Sequence, residues 1–187
     1  MWKAPRESVI IHKTFRGEAI MKNIVLIGMP AAGKSTVGVI LAKLLGYDFI
    51  DTDILLALEQ KRPLLQIIAQ DGYESFIEYE GRIVESLKCE KTVIATGGSM
   101  VFSEKAMQAL SENGIVIWLD TPVEELEKRM VGTLRERGVA APADMTVREI
   151  FEVREPLYNK YAALRISCTG STELAATELR DRLINKG

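Results

Sequence analysis

The sequence is poor in the residue types that carry much of metal and nucleophilic chemistry. It contains one histidine, His12, and two cysteines, Cys89 and Cys168, which are far apart and not in a C-x-x-C spacing. A lone histidine ahead of the first predicted strand is typical of a surface residue, and the cysteines are expected to pack as small apolar side chains in a reducing cytosol. Histidine catalysis is therefore excluded, and a cysteine-bound metal is disfavoured.

The sequence also lacks a strong excess of charge and any long hydrophobic run. Its formal net charge of −2 provides no basic field to attract nucleic acid or an anionic membrane. No apolar segment approaches the length of a membrane span, and no signal-peptide pattern is present. These absences predict a cytoplasmic protein with neither nucleic-acid nor membrane partners.

What remains is the composition of an ordinary globular protein. Its 187 residues are 47% hydrophobic and 27% charged, which is enough for one sizeable core. Residues 21–187 are expected to form a single domain. Residues 1–20 have no clear periodicity and are expected to be a poorly ordered N-terminal extension.

One stretch carries a specific chemical signal. The apolar run 24–27 predicts a buried strand that ends at Gly28, and a helical pattern begins just past Lys34. Between them lies G-x-x-x-x-G-K-[ST], the phosphate-binding P-loop, in the strand–loop–helix context that it requires. Its backbone N–H groups and the helix N-terminus favour an anion, Lys34 can reach the β- and γ-phosphates, and Ser35 can bind Mg²⁺. The alternative is a chance match in a turn, against which both flanking elements argue.

Two aspartates follow the second predicted strand, at residues 47–50. Ligands of open α/β sheets lie beyond the carboxyl ends of the strands, so Asp51 and Asp53 are expected to face the same crevice as the P-loop. The alternative is that both only cap the following helix, a role that aspartate favours.

Strand and helix patterns alternate along the rest of the chain, which predicts a three-layer α/β/α fold with a five-stranded parallel sheet. Residues 131–146 have little periodicity and predict a mobile lid. The predicted strands are 24–27, 47–50, 92–95, 115–119 and 164–168. The predicted helices are one from just past Lys34 to 45, then 54–60, 63–71, 74–87, 103–113, 123–130, one capped by Thr146 with Glu149 as a capping box, and 171–184.

Five motifs follow one another along the chain: Gly28-Met-Pro-Ala-Ala-Gly33-Lys34-Ser35-Thr36, Asp51-Thr52-Asp53, Ala95-Thr96-Gly97-Gly98, Arg135 and Arg154-Glu-Pro-Leu-Tyr158. In this order they resemble the shikimate kinase family of P-loop kinases, over nearly all of the chain from Met21 onward. The resemblance implies a monomeric enzyme of aromatic amino acid biosynthesis that converts shikimate to shikimate 3-phosphate with ATP and Mg²⁺.

The resemblance also implies roles for individual residues on the nucleotide side. Lys34 would be catalytic, Ser35 would bind Mg²⁺ and Asp51 would support the metal through water. Arg129 would lie against adenine. The remaining phosphate-binding residues would be Gly28, Ala31, Ala32, Gly33 and Thr36.

On the acceptor side, the resemblance implies that Asp53 orients the attacking hydroxyl and is a candidate general base, and that Arg154 binds a substrate carboxylate. Gly97 and Gly98 would let the backbone approach the substrate, and Arg135 would neutralise charge on the transferring phosphoryl group. The alternatives are that the two glycines only form a turn, that Arg135 is a solvated charge, and that Arg154 belongs to a charged helix face with neighbouring glutamates.

The sequence departs from the family pattern at three positions. The family's carboxylate-binding arginine after Phe76 is replaced by Ile77, so Glu80, one helical turn on, is expected to lack its partner and to repel an anionic substrate. A third glycine after Gly98 is replaced by Ser99. The lid arginine, Arg135, is followed by Glu136-Arg137-Gly138 rather than Pro-Leu.

These departures leave three hypotheses open. The chain is a shikimate kinase whose carboxylate contact is rebuilt by Arg154 with Arg137 or another basic residue. Otherwise it is a kinase of the same mechanism for a less anionic polyol or hydroxy compound. The third hypothesis is a non-catalytic nucleotide-binding regulator, against which the retained Asp53 argues.

Overall fold

The computed structural model describes residues 22–131 and 145–184, in which five parallel strands form one sheet of order β2-β3-β1-β4-β5. The strands are β1 (Asn23–Ile27), β2 (Asp48–Asp51), β3 (Thr92–Ala95), β4 (Gly114–Asp120) and β5 (Leu164–Ser167). Leu26 and Asp51 both pair with Ala95, so the chain leaves β1, β2 and β3 at the same edge of the sheet. This edge is where the predicted motifs meet.

Seven α-helices connect and cover the strands in the described part of the chain. They are α1 (Lys34–Leu45), α2 (Thr52–Gln60), α3 (Leu64–Ser86), α4 (Glu104–Asn113), α5 (Val123–Met130), α6 (Val147–Tyr161) and α7 (Thr172–Ile184). A 3₁₀ turn, Met100–Phe102, precedes α4. The helix α3 is broken at Gly72, whose φ of 85° and ψ of 170° are not helical.

Alternate residues of β1 point to opposite faces of the sheet. Val25 and Ile27 contribute to a core covered by residues of α3, α4, α5 and α6, whereas Ile24 and Leu26 contribute to a core covered by α1 and α7. A third apolar cluster lies between α2 and α3, built from Leu56, Ile67, Phe76 and Ile83. The two cores on either side of the sheet confirm the predicted three-layer α/β/α architecture.

The predicted boundaries agree with the structure to within one or two residues at most ends. Gly46 ends α1 in the left-handed conformation, and Thr146 and Glu149 form the predicted capping box. The largest difference is that α2 begins at Thr52 rather than 54, because Asp51 caps it. The predicted break at 71–72 is confirmed as an interruption of α3.

Some predictions fall outside the described residues. These are the N-terminal extension at 1–20 and most of the lid at 131–146, including Arg135 and Arg137. Among the helices that the structure describes, none has the length and hydropathy needed to span a lipid bilayer.

Candidate active site

The P-loop is shaped by two glycines that no other residue replaces without strain. Gly28 has φ of +143°, and a Cβ there would lie 2.6 Å from the carbonyl oxygen of Leu119. Gly33 caps α1 with φ of +91°. Both conformations favour glycine, and they place the N-terminus of α1 at the carboxyl edge of the sheet. The loop therefore presents helix N–H groups to an anion.

The loop also contains a residue other than glycine in the left-handed region. Ala31 has φ of 62°, a conformation that costs roughly 1–2 kcal/mol for a residue with a Cβ. Its carbonyl oxygen accepts a hydrogen bond from Nη1 of Arg129 at 3.2 Å, and Nε of Arg129 donates to Glu125 at 3.1 Å. The structure thus places Arg129 against the P-loop.

Lys34 is buried at the start of α1. Its Nζ donates to the carbonyl oxygens of Gly28 at 2.9 Å and Met29 at 2.8 Å. Burial lowers the pKa of Lys34 to about 8, against the opposing attraction of Asp53 and Asp51. The ammonium is therefore held in a poorly solvated position inside the loop, where an anionic ligand would favour its charged form.

The two aspartates after β2 have different environments. Oδ1 of Asp51 accepts from the backbone N–H groups of Asp53 at 3.0 Å and Ile54 at 3.4 Å, so the capping alternative holds for Asp51. Oδ1 of Asp53 is buried without a hydrogen-bond partner among the described residues. Burial raises the pKa of Asp53 to about 6, while Lys34 opposes this shift. Asp53 therefore has a free carboxyl oxygen in the cleft, which a helix cap does not need.

Thr52, between the two aspartates, is a site residue that the sequence did not indicate. It is fully buried, and its hydroxyl accepts a hydrogen bond from the backbone N–H of Gly97 at 3.2 Å. This bond ties the start of α2 to the loop after β3. A polar residue between two charged ones carries no sequence signal for such a contact.

At positions 97 and 98 the surrounding atoms leave no room for a Cβ, and neither glycine has a φ in the left-handed region. The position that a Cβ of residue 97 would occupy overlaps Oε1 of Glu80 and lies 2.7 Å from Oδ1 of Asp53. A Cβ of residue 98 would lie 2.8 Å from Nη1 of Arg154 and 2.7 Å from Cδ of Pro30. A side chain at either position would therefore collide with its neighbours, a constraint that a turn alone does not impose.

Glu80 has a partner, contrary to the expectation from sequence. It is 1% exposed, and its Oε2 accepts a short hydrogen bond from the hydroxyl of Ser99. Its Oε1 is buried without a partner among the described residues. Burial, followed by the charge of Asp53, raises the pKa of Glu80 to about 8. At neutral pH the carboxyl is therefore mostly protonated and does not repel an anion as an unpaired carboxylate would.

Arg154 is buried in the cleft at 2% exposure, so the alternative of a solvated, charged helix face is wrong. Its guanidinium lies 5.6 Å from the ring centre of Phe102. Tyr158, one turn further along α6, donates its hydroxyl to the carbonyl of Gly98 at 2.9 Å. The helix α6 therefore fixes both the guanidinium and the loop beside it.

These groups line one cleft of about 520 Å³ at the carboxyl edge of the sheet. Of the predicted site residues, Gly28, Ala32, Asp51 and Arg129 are not among those that line this cleft, and Arg135 lies outside the described residues. The lining residues are Pro30, Ala31, Gly33, Lys34, Ser35, Thr36, Asp53, Phe76, Glu80, Thr96, Gly97, Gly98, Ser99 and Arg154.

The described residues contain no group of three histidine, cysteine or acidic side chains that could hold a metal ion by itself. The predicted metal residues, Ser35 and Asp51, supply only hydroxyl and carboxylate oxygens. This donor set fits Mg²⁺, which keeps several waters and is usually held by one or two protein oxygens together with substrate phosphates.

The model of the shikimate kinase family matches residues 30–184. The chain belongs to the shikimate kinase family. The match includes the P-loop lysine, Asp53, the loop at Gly97 and Arg154 on α6. The chain is therefore a small-molecule kinase, an enzyme that transfers a phosphoryl group to a hydroxyl, as the sequence predicts.

Curated relatives agree with this assignment. The shikimate kinase of Persephonella marina is 37% identical over 153 residues, which cover 81% of this chain and 92% of the relative. The shikimate kinase of a Synechococcus species is 35% identical over 167 residues, covering 88% of this chain and 83% of the relative.

Solved structures agree as well. A shikimate kinase from Acinetobacter baumannii, in complex with shikimate, is 28% identical with a TM-score of 0.79, covering 90% of this chain and 96% of that chain. A gluconokinase from Sinorhizobium meliloti, at 16% identity, a TM-score of 0.53 and coverage of 88% and 92%, shares the fold alone. The predicted P-loop kinase fold of the shikimate kinase family is thus confirmed.

Proposed function

We propose that the chain transfers the γ-phosphoryl group of ATP to the 3-hydroxyl of shikimate. The observation that carries this proposal is the position of Asp53, which presents a buried, unpartnered carboxyl oxygen to the cleft that Lys34 and the P-loop also line. Phosphoryl transfer depends on positioning and charge neutralisation, for which a carboxylate facing a phosphate cradle is suited.

Asp53 accepts a hydrogen bond from the attacking hydroxyl and orients it towards the phosphate cradle. With a pKa of about 6, its carboxylate is mostly ionised at neutral pH and is matched to take the proton as the hydroxyl attacks. Lys34 neutralises charge on the phosphates. Arg135, from the segment after α5, adds a second positive charge.

Mg²⁺ supplies charge neutralisation on the nucleotide phosphates when it is bound, and Ser35 and Asp51 are the residues that would hold it. Arg129 lies beside the P-loop, where it is suited to contact the adenine. Gly28, Ala31, Ala32, Gly33 and Thr36 complete the nucleotide side.

Arg154 binds the carboxylate of shikimate. It is the only arginine among the described residues that line the cleft, and it is held by α6 with its Nη1 beside the loop of Gly97 and Gly98. A charge-assisted contact of this kind contributes about 1.5–3 kcal/mol. It therefore supplies much of the anion recognition that Ile77 does not.

The family resemblance further supports a monomer in the cytoplasm, formed by a single domain over residues 21–187. Both cysteines are free thiols, Cys168 buried and Cys89 half-buried, as is usual for a reducing compartment.

The test is ADP release from Mg-ATP with shikimate, with a panel of polyols and hydroxy acids, and without an acceptor. Substitution Asp53→Asn is expected to lower kcat with shikimate by about 10²–10⁴-fold, because the general base is lost, while the Kd of ATP changes less than about threefold. Asp48→Asn, at an exposed carboxylate on β2, is the matched control and is expected to change neither value.

Each alternative predicts a distinct result. Turnover with a polyol but not with shikimate would show a different acceptor for the same chemistry. ATP binding without turnover of any acceptor would indicate a nucleotide-binding regulator. Unchanged turnover in Asp53→Asn would contradict the role of this carboxylate.

A further inference from the structure

Two buried carboxyl oxygens lie side by side on the acceptor side of the cleft, and neither has a hydrogen-bond partner among the described residues. They are Oδ1 of Asp53 and Oε1 of Glu80. Both lie within 2.7 Å of the point where a Cβ of residue 97 would stand. Because buried polar atoms are nearly always satisfied, a pair of free oxygens in a cleft indicates a ligand that supplies two polar groups.

Ser99 determines which oxygen of Glu80 is left without a partner. Its hydroxyl is buried and donates to Oε2, so that Oε1 is the oxygen with no hydrogen-bond partner among the described residues. The neighbour of Glu80 one turn earlier on α3 is Ile77, which carries no charge to pair with it. The Glu80 carboxyl is therefore held by the hydroxyl of Ser99 and not by a cation one turn earlier on its own helix.

We infer that Asp53 and Glu80 form a two-carboxyl clamp for a vicinal diol, and that Ser99 is the positioning residue that aims Glu80 at the second hydroxyl. Asp53 contacts the hydroxyl that is phosphorylated, and Oε1 of Glu80 contacts the hydroxyl on the adjacent carbon. The clamp selects acceptors that carry neighbouring hydroxyl groups over those that carry one alone.

The electrostatics of the clamp agree with this geometry. Burial, followed by the charge of Asp53, raises the pKa of Glu80 and so favours the protonated form of this carboxyl. A protonated carboxyl both donates and accepts hydrogen bonds, as recognition of a hydroxyl requires.

This inference rests on the proposed function, and deoxy analogues of the acceptor test it. Shikimate carries hydroxyl groups on three successive carbons, so 4-deoxyshikimate lacks the neighbour of the reacting hydroxyl, whereas 5-deoxyshikimate keeps it. In the unaltered protein, kcat/KM is expected to fall at least tenfold for the 4-deoxy compound relative to shikimate and less than threefold for the 5-deoxy compound.

The variants Ser99→Gly and Glu80→Met are expected to reduce the tenfold preference for shikimate over 4-deoxyshikimate to less than threefold, mainly through KM. Glu80→Gln is expected to keep most of the preference, because the amide retains a donor and an acceptor. The control is Ser86→Ala on the exposed end of α3, whose hydroxyl donates to the carbonyl of Ile83. It is expected to leave every value unchanged.

The outcomes separate the two proposals. Absence of shikimate-dependent ADP release in the unaltered protein would contradict the proposed function itself. With that turnover present, a Ser99→Gly variant that weakens all three acceptors by one common factor would show a merely structural role and overturn the clamp. If Ser99→Gly does not fold, the ratio of kcat/KM for shikimate to kcat/KM for 4-deoxyshikimate is measured in Glu80→Met instead. An unchanged tenfold preference for shikimate in that variant overturns the inference.

Discussion

The nucleotide half of the cleft, residues 28–36, is made mostly of backbone from one continuous stretch of chain. The acceptor half is made of side chains from four separate elements, namely Asp53, Glu80, Ser99 and Arg154. The first half depends on dihedral angles that glycine permits at Gly28 and Gly33. The second depends on which side chains the fold brings together. Backbone recognition of phosphate is therefore difficult to alter, whereas acceptor recognition changes with single substitutions.

The largest effect on this comparison is expected from Lys34→Met, which removes the only charged side chain within residues 28–36. We expect kcat to fall by about 10²–10³-fold or more, because a preorganised charge on the phosphates is lost. The shikimate Kd, measured by calorimetry, should change less than threefold, because no acceptor contact is removed.

Stability distinguishes this loss from misfolding. Burial lowers the pKa of Lys34 to about 8 in the folded protein, so above that pH the unfolded chain holds the lysine proton more tightly than the folded chain does. Below pH 8 the lysine is charged in both states, and the full cost of burying this charge lowers the free energy of unfolding. The thermal midpoint of Lys34→Met should therefore not fall more than about 4 °C, roughly 1 kcal/mol, below that of the unaltered protein. Lys43→Met, at an exposed position of α1, is the control; an equal loss of kcat there would contradict the assignment.

An effect of intermediate size is expected from Gly97→Ala, which tests the acceptor half alone. The added Cβ would overlap Oε1 of Glu80 and crowd Oδ1 of Asp53, so both carboxyls must move. A displacement of about 1 Å is enough for a loss near 10²-fold in kcat/KM for shikimate. The Kd of ATP should be unchanged.

The matched control for this substitution is Gly170→Ala, since a Cβ there has its nearest contact at 3.7 Å, with Leu174. Steady-state kinetics with each substrate varied in turn would measure both variants. Equal losses for ATP and shikimate in Gly97→Ala would show that the two halves are not separable.

The smallest expected effect is a pH dependence that belongs to the acceptor half. Because burial raises the pKa of Glu80 to about 8, this carboxyl keeps its proton below that pH and loses it above. The new charge lies beside Asp53 and is opposed by Lys34 and Arg154. We expect KM for shikimate to rise about five- to tenfold between pH 7 and 9, measured from initial rates.

Glu80→Gln should remove this rise, because the amide does not titrate. The pKa of Lys34 is also about 8, but its deprotonation should act on the nucleotide half and appear in KM for ATP. A shikimate KM that rises equally in Glu80→Gln and in the unaltered protein would assign the effect to another group.

Prediction from sequence succeeded where the signal is continuous along the chain. The P-loop, the capping box at Thr146 and the break at Gly72 depend on residues within one turn or loop, and the structure contains each of them. The family and the fold follow from such motifs taken in order, and both are confirmed.

Prediction from sequence failed where a contact joins residues that are far apart along the chain. Glu80 was expected to lack a partner because its helix neighbour Ile77 is apolar, yet Ser99, nineteen positions away, supplies a hydroxyl. For Arg154, the charged neighbours in sequence left open an exposed helix face, an alternative that its burial contradicts. The roles of individual site residues stay predictions until the variants above are measured.

The small apolar cluster between α2 and α3 has a consequence for the divergence of such enzymes. Leu56, Ile67, Phe76 and Ile83 share no member with the cores on the two faces of the sheet, yet the helices that they join carry Asp53 and Glu80. Substitutions there change the spacing of the two carboxyls without repacking the sheet. Selection can thus adjust the preferred acceptor in small steps while the inherited ATP chemistry persists, and new specificities arise without a new fold.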